Sequence, residues 1–87
     1  MSLPFFLKYD IIYTEGINVI KEKRKLKNYT QEQMANMLNI SLRHYVRIDQ
    51  ERSFPRSDIL NNLINLLELS DEEIGLYIKS VIKVKSS

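Results

Sequence analysis

The stretch from Thr30 to Gln50, TQEQMANMLNISLRHYVRIDQ, decides the fold. In its first half Met34, Ala35 and Leu38 fall on one stripe of a helix, because apolar positions three and four apart share a face. Thr30 is placed to accept from the amide of the third helical residue while Gln33 reaches back, and Tyr29 is placed to staple against Met34. Asn39 tolerates the left-handed backbone and ends this helix. Ser41 then caps a second one, in which Tyr45 and Ile48 point inward while Leu42, Arg43, Val46 and Arg47 lie on other sides. Two short helices therefore meet across the turn Asn39, Ile40, Ser41, and the outer face of the second is not apolar enough to be core.

Similar punctuation continues on both sides. Upstream, an amphipathic segment from about Glu15 to Lys27 carries Ile17, Ile20 and Arg24 on one face, with Asn28 suited to its end. Downstream, Gln50 to Arg56 reads as a loop ending at Pro55, and Ser57 with Asp58 opens a helix containing Ile59, Leu60, Leu63, Ile64, Leu66 and Leu67. Ser70 and Glu73 form another capping box, before a helix with Ile74, Ile78 and Val81 on one stripe. Five helices with short loops predict an all-α fold.

Eighty-seven residues hold one compact domain. Cysteine is absent, which excludes a disulfide framework and thiolate metal sites and fits a reducing compartment, so a cytoplasmic location is expected. Lys8 and Asp10 break the apolar run from Leu3 to Tyr13, which reads as neither signal peptide nor membrane span. Charge is unevenly spread. From Val19 to Arg56 nine basic residues face four acidic ones, a local +5, whereas Ser57 to Ile78 carries five acidic residues and no basic one, −5. Clustered Lys and Arg attract phosphate and gain affinity through counterion release; a solvated helix face accounts equally well for the charge taken alone.

A three-residue turn between two short helices, the second with a basic outer face, has the proportions of a helix-turn-helix that reads DNA. The major groove, about 12 Å wide, admits one helix, whose first turn presents side chains to base edges. Arg43 and Arg47 are one turn apart and each can donate to guanine O6 and N7; the competing reading makes both surface ion-pair partners. At this point the sequence resembles the phage-repressor-like, Cro and repressor or xenobiotic-response-element type, helix-turn-helix regulators. The likeness runs from about Ile17 to Ile74 and rests on the TQEQMA start, Ile40 with Ser41, the acid at Asp49, Pro55 and the closing LLELSDEEI. It implies a five-helix lambda-repressor-like domain at 17–74; the apolar extension at 1–16, and the rest of the last helix with a basic tail at 75–87, fall outside it. It implies base contacts from Ser41, Leu42, Arg43 and Arg47. Gln31 and the loop residues Arg52, Ser53 and Arg56 would hold phosphate. It also implies an ion pair between Arg24 and Asp49, which would match an otherwise misplaced cation on the stripe of Ile17 and Ile20.

Several residues depart from that pattern. Lys23 stands where an apolar residue is usual, Leu26 where a charge is frequent, and Glu51 where a glycine is common, which questions the left-handed turn after the second helix of the motif. Leu42 can offer only apolar contact, such as to a thymine methyl group. His44 is the only histidine and has no acidic or Cys neighbour, so it reads as an exposed side chain with a water or phosphate contact, not a metal ligand. No cofactor is expected. In the first sixteen residues periodicity does not decide between strand and helix, and Phe5, Phe6, Tyr9, Ile11, Ile12 and Tyr13 need cover from the domain or from a partner chain. The expected function is a sequence-specific, double-stranded-DNA-binding transcriptional regulator, a repressor, with a recognition helix at about 41–50. A homodimer through the N-terminal extension or the C-terminal helix suits paired half-sites. The alternative is a protein-interaction module or antitoxin that uses the motif as scaffold to hold a protein partner. No enzyme is read: there is no glycine-rich phosphate loop, and Glu72 with Glu73 sits in a helix's first turn, where the dipole explains acids.

Overall fold

A computed structural model describes residues 18–86. The apolar extension at 1–16, and Ile17 after it, lie outside the described residues. Five helices follow one another: α1 (Val19–Leu26), α2 (Gln31–Leu38), α3 (Leu42–Asp49), α4 (Ser57–Leu67) and α5 (Asp71–Ser86). No strand occurs among the described residues.

Side-chain caps set the starts. Thr30 Oγ1 accepts from the Gln33 amide at 3.0 Å and Gln33 Oε1 accepts from the Thr30 amide at 2.8 Å, the reciprocal box read from the sequence. Ser70 and Glu73 repeat it at 3.1 and 2.9 Å, and Ser41 accepts from the His44 amide at 3.0 Å. Helix α1 starts at Val19, later than the periodicity suggested, because Asn18 is extended and its side chain accepts from the Lys21 amide. Helix α4 has no side-chain cap; Arg56 occupies the capping position after the buried Pro55.

The ends of α1 to α4 are built alike. Asn28, Asn39, Glu51 and Glu68 all have φ between 53° and 62°, the left-handed region that glycine enters most easily. At each, the next amide bonds back to a carbonyl five residues earlier: Tyr29 to Arg24, Ile40 to Ala35, Arg52 to Arg47 and Leu69 to Ile64. This is the Schellman closure, which satisfies the last carbonyls of a helix. The left-handed turn that Glu51 had placed in question therefore forms, on a glutamate.

One core unites the helices. Val19 and Ile20 of α1, Met34, Ala35 and Leu38 of α2, Tyr45 and Ile48 of α3, Ile59, Leu63 and Leu67 of α4, Leu69, and Tyr77 and Val81 of α5 are all buried. Each large aliphatic side chain taken from water contributes about 1.5 to 3 kcal/mol. Helix α2 packs against α3 and α4, and α1 packs against α4 and α5. The inner face of α5 differs from the expected one. Glu73, Tyr77 and Val81 are buried, Ile74 and Ile78 are half-buried, and Ile82 is exposed, so the helix is turned by about one residue, ~100°, from the isoleucine stripe. The reason lies at Glu73: its Oε2 pairs with Lys23 Nζ of α1 at 3.2 Å while its Oε1 serves the cap of Ser70. Lys23, unusual for its position, thus has a partner that its unusual charge requires.

Candidate nucleic-acid interface

Helix α3 has two faces with different tasks. Tyr45 and Ile48 are completely buried, which fixes the roll of the helix about its axis. That roll leaves Ser41, Leu42, Arg43 and Arg47 exposed, with His44 and Val46 half-buried beside them. Four residues along a helix is slightly more than one turn, ~6 Å of rise, so the two arginines project along one line. Neither arginine makes an ion pair among the described residues. The ion-pair reading of Arg43 and Arg47 thus finds no acceptor there, while Leu42 places an apolar side chain, 46% exposed, at the leading end.

The helix is held from behind by a network centred on Asp49, whose side chain is almost fully buried. Arg24 of α1 grips it with two donors, Nε to Oδ1 at 2.9 Å and Nη2 to Oδ2 at 3.2 Å, and spends Nη1 on the Tyr29 carbonyl at 3.0 Å. Tyr45 donates its hydroxyl to Oδ1 at 2.9 Å, and Gln31 donates its amide to Oδ2 at 3.0 Å. Asn18 donates from its side chain to the main-chain oxygen of Asp49, so the cap of α1 and the end of α3 are tied directly. Charge-assisted forks of this kind are the stronger class of hydrogen bond. The bond with Asp49 raises the Arg24 pKa. Burial, with the adjacent Asp49 carboxylate, pushes the Tyr45 phenol up, which keeps it a donor.

The loop after α3 carries the remaining residues of interest. Arg52 is exposed and Ser53 half-buried; Arg56 is exposed and pairs with Asp58 at 3.3 Å, a surface contact of little energetic weight. Gln31, expected at a phosphate, stands half-buried at the start of α2 with its amide engaged by Asp49. Three side chains take part in contacts that the sequence reading does not include. Tyr45 sits one turn before Asp49, a spacing that offers a signal. Asn18 comes from 31 residues away, and Ser80 of α5, which donates to Glu51 at 2.9 Å, from 29 residues away; neither offers one. Among the described residues no group of His, Cys, Asp and Glu is placed to hold a metal ion, and no helix is long and apolar enough to cross a membrane.

Comparison with known proteins agrees with this geometry. A family model described as helix-turn-helix matches residues 20–74, well over half of the chain. A curated relative, the probable DNA-directed RNA polymerase subunit delta of Bacillus velezensis (strain DSM 23117 / BGSC 10A6 / LMG 26770 / FZB42), is 32% identical over 50 residues. That match covers 58% of this chain and only 29% of the relative. No solved structure matches the chain significantly. With its capped helix pair, the basic outer face of α3 and the extent of the family match, the chain belongs to the helix-turn-helix family of the Cro and phage-repressor type, a family of DNA-binding regulators.

Proposed function

We propose that this protein is a sequence-specific transcriptional repressor that lays α3 in the major groove of double-stranded DNA. The observation that carries the reading is the pair Arg43 and Arg47, exposed one turn apart and without acidic partners among the described residues, on a helix whose opposite face is locked by Asp49. Side chains fixed at their root and free at their tip suit bidentate contact with guanine, worth about 1 to 3 kcal/mol of discrimination each. Ser41 and Leu42 complete the base-reading set. Gln31, His44, Arg52, Ser53 and Arg56 supply phosphate contacts; the second amide proton of Gln31 remains for that purpose while the first holds Asp49. A homodimer, joined through the N-terminal extension or α5, would present two recognition helices to half-sites one helical turn apart. Such a protein works in the compartment that holds its DNA, and the expected location is the cytoplasm.

The test compares Arg43→Ala with the parent on an operator duplex and on random duplex. Operator affinity should fall about tenfold or more, within the range of a lost bidentate pair, while random-duplex affinity falls only by the share of one charge. Equal losses on both would make Arg43 a phosphate contact and remove it from the reading set.

A second reading is a protein-interaction module or antitoxin, favoured by the exposed Leu26, Met37 and Ile82 on three different helices. It predicts a stoichiometric protein partner and no retardation of any duplex at low salt.

A further inference from the structure

Glu51 is the residue whose placement the DNA-binding reading leaves unexplained. It ends α3 in the left-handed conformation, φ 60°, where the chain elsewhere uses Asn28, Asn39 and a second glutamate, Glu68, which unlike Glu51 is exposed. Three of the four helix ends place an apolar residue next after the left-handed one, and Tyr29, Ile40 and Leu69 all pack on the core. At the end of α3 that place is taken by Arg52, which is exposed. The loop therefore lacks the usual apolar plug.

It is held by other means. Glu51 Oε1 accepts from Ser80 Oγ of α5 at 2.9 Å. Three residues on, the Phe54 ring stacks on the buried ring of Tyr77, also of α5, with centroids 5.6 Å apart and planes 23° apart. Tyr77 and Ser80 are three apart on one helix, so both attachments fall on a single turn. Arg52 and Ser53 lie between them. The Glu51 half of this anchorage carries a cost in stability. Glu51 Oε2 and the Tyr77 hydroxyl are buried without hydrogen-bond partners among the described residues, and burial raises the pKa of both groups. An asparagine at 51 would keep the turn and bury no carboxylate.

We propose that Glu51 is a positioning residue: together with Phe54 it fastens the loop after the recognition helix to the Tyr77–Ser80 turn of α5, so that the C-terminal helix sets where Arg52 and Ser53 meet the DNA backbone. The functional half of this statement rests on the DNA-binding reading; the anchorage itself does not. A corollary is that a change in the seating of α5 reaches the DNA-facing loop directly, through Tyr77 and Ser80.

The test uses two variants of the full chain. Glu51→Asn keeps a residue that tolerates the left-handed backbone but is too short for Ser80, whereas Glu51→Gln keeps the acceptor and the reach. Amide hydrogen exchange of the free protein reads the anchorage. In Glu51→Asn the amides of 52–54 should exchange about tenfold faster while the slowest core amides are unchanged or slower, and Glu51→Gln should match the parent at 52–54. Operator binding reads the consequence: for Glu51→Asn affinity should drop by about tenfold and the slope of log K against log salt should flatten by about one contact, with both restored in Glu51→Gln. Unchanged loop exchange in Glu51→Asn overturns the anchorage. Faster loop exchange with an unchanged affinity and salt slope on a parent that binds DNA overturns the positioning role. A parent that retards no duplex defeats the DNA reading and with it the positioning role, and the exchange experiment still decides the anchorage.

Discussion

Asp49 and Glu51 are two residues apart at the same end of α3, both with buried carboxyl oxygens, and the protein treats them in opposite ways. Asp49 receives four side-chain donors, Arg24 Nε and Nη2, Gln31 Nε2 and the Tyr45 hydroxyl, and every one is 3.2 Å or closer. Glu51 receives one, from Ser80, and its second oxygen has none. The difference teaches that burial of a carboxylate is tolerable when it is saturated and a burden when it is not. Asp49 therefore belongs to the architecture that aims α3, whereas Glu51 has to be accounted for by what it holds.

The largest expected effect comes from breaking the saturated side. Asp49→Ala leaves Arg24 buried without its counter-charge and should destabilise the fold by about 3 to 5 kcal/mol, read as a shift in the urea midpoint at constant slope. A loss below about 1 kcal/mol would show that the network is ornamental and that Tyr45 and Ile48 alone fix the helix.

A smaller effect sharpens the other side. Burial holds the Glu51 carboxyl above its ordinary pKa, so the folded state binds its proton more tightly than the unfolded state does. The sign follows: the stabilisation from protonated Glu51 is complete below the unfolded value, about 4.3, and is lost as pH rises through the raised folded value. Relative to the parent, Glu51→Gln should thus gain stability progressively from about pH 4 towards neutrality. Parallel stability curves across that range would mean that the carboxylate is solvated in the folded protein.

The smallest effect lies away from both. Gly75 is inside α5, and a Cβ built there meets nothing within 4 Å. Gly75→Ala should raise stability by about 0.5 to 1 kcal/mol through helix propensity alone, measured by thermal unfolding, and leave the Glu51 anchorage unchanged. A destabilised Gly75→Ala protein would indicate that something packs on that face of α5.

What the sequence made legible was mostly local. Thr30, Ser41 and Ser70 announce helix starts because a cap needs only residues within one turn of it, and Asn28 and Asn39 announce ends for the same reason. Arg24 was legible as a cation on an apolar stripe, and family resemblance supplied Asp49 as its partner. The α5 face is not legible because its isoleucines give the stronger periodic signal, yet Lys23, on another helix, pairs with Glu73 on the inner face, where Tyr77 is in the core. Glu51 was legible only as a missing glycine. Its compensation, Ser80 and the Phe54–Tyr77 stack, is tertiary and leaves no trace at neighbouring positions.

The central claim is that the outer face of α3 reads DNA sequence, and selection from a random pool of duplexes tests it most directly. The parent should enrich a defined half-site, repeated with two-fold symmetry at about one helical turn if it binds as a dimer, and Arg43→Ala with Arg47→Ala should lose the enrichment while still retaining duplex at low salt. Failure of the parent to enrich any sequence, or an unchanged enriched site in the double variant, would contradict the account.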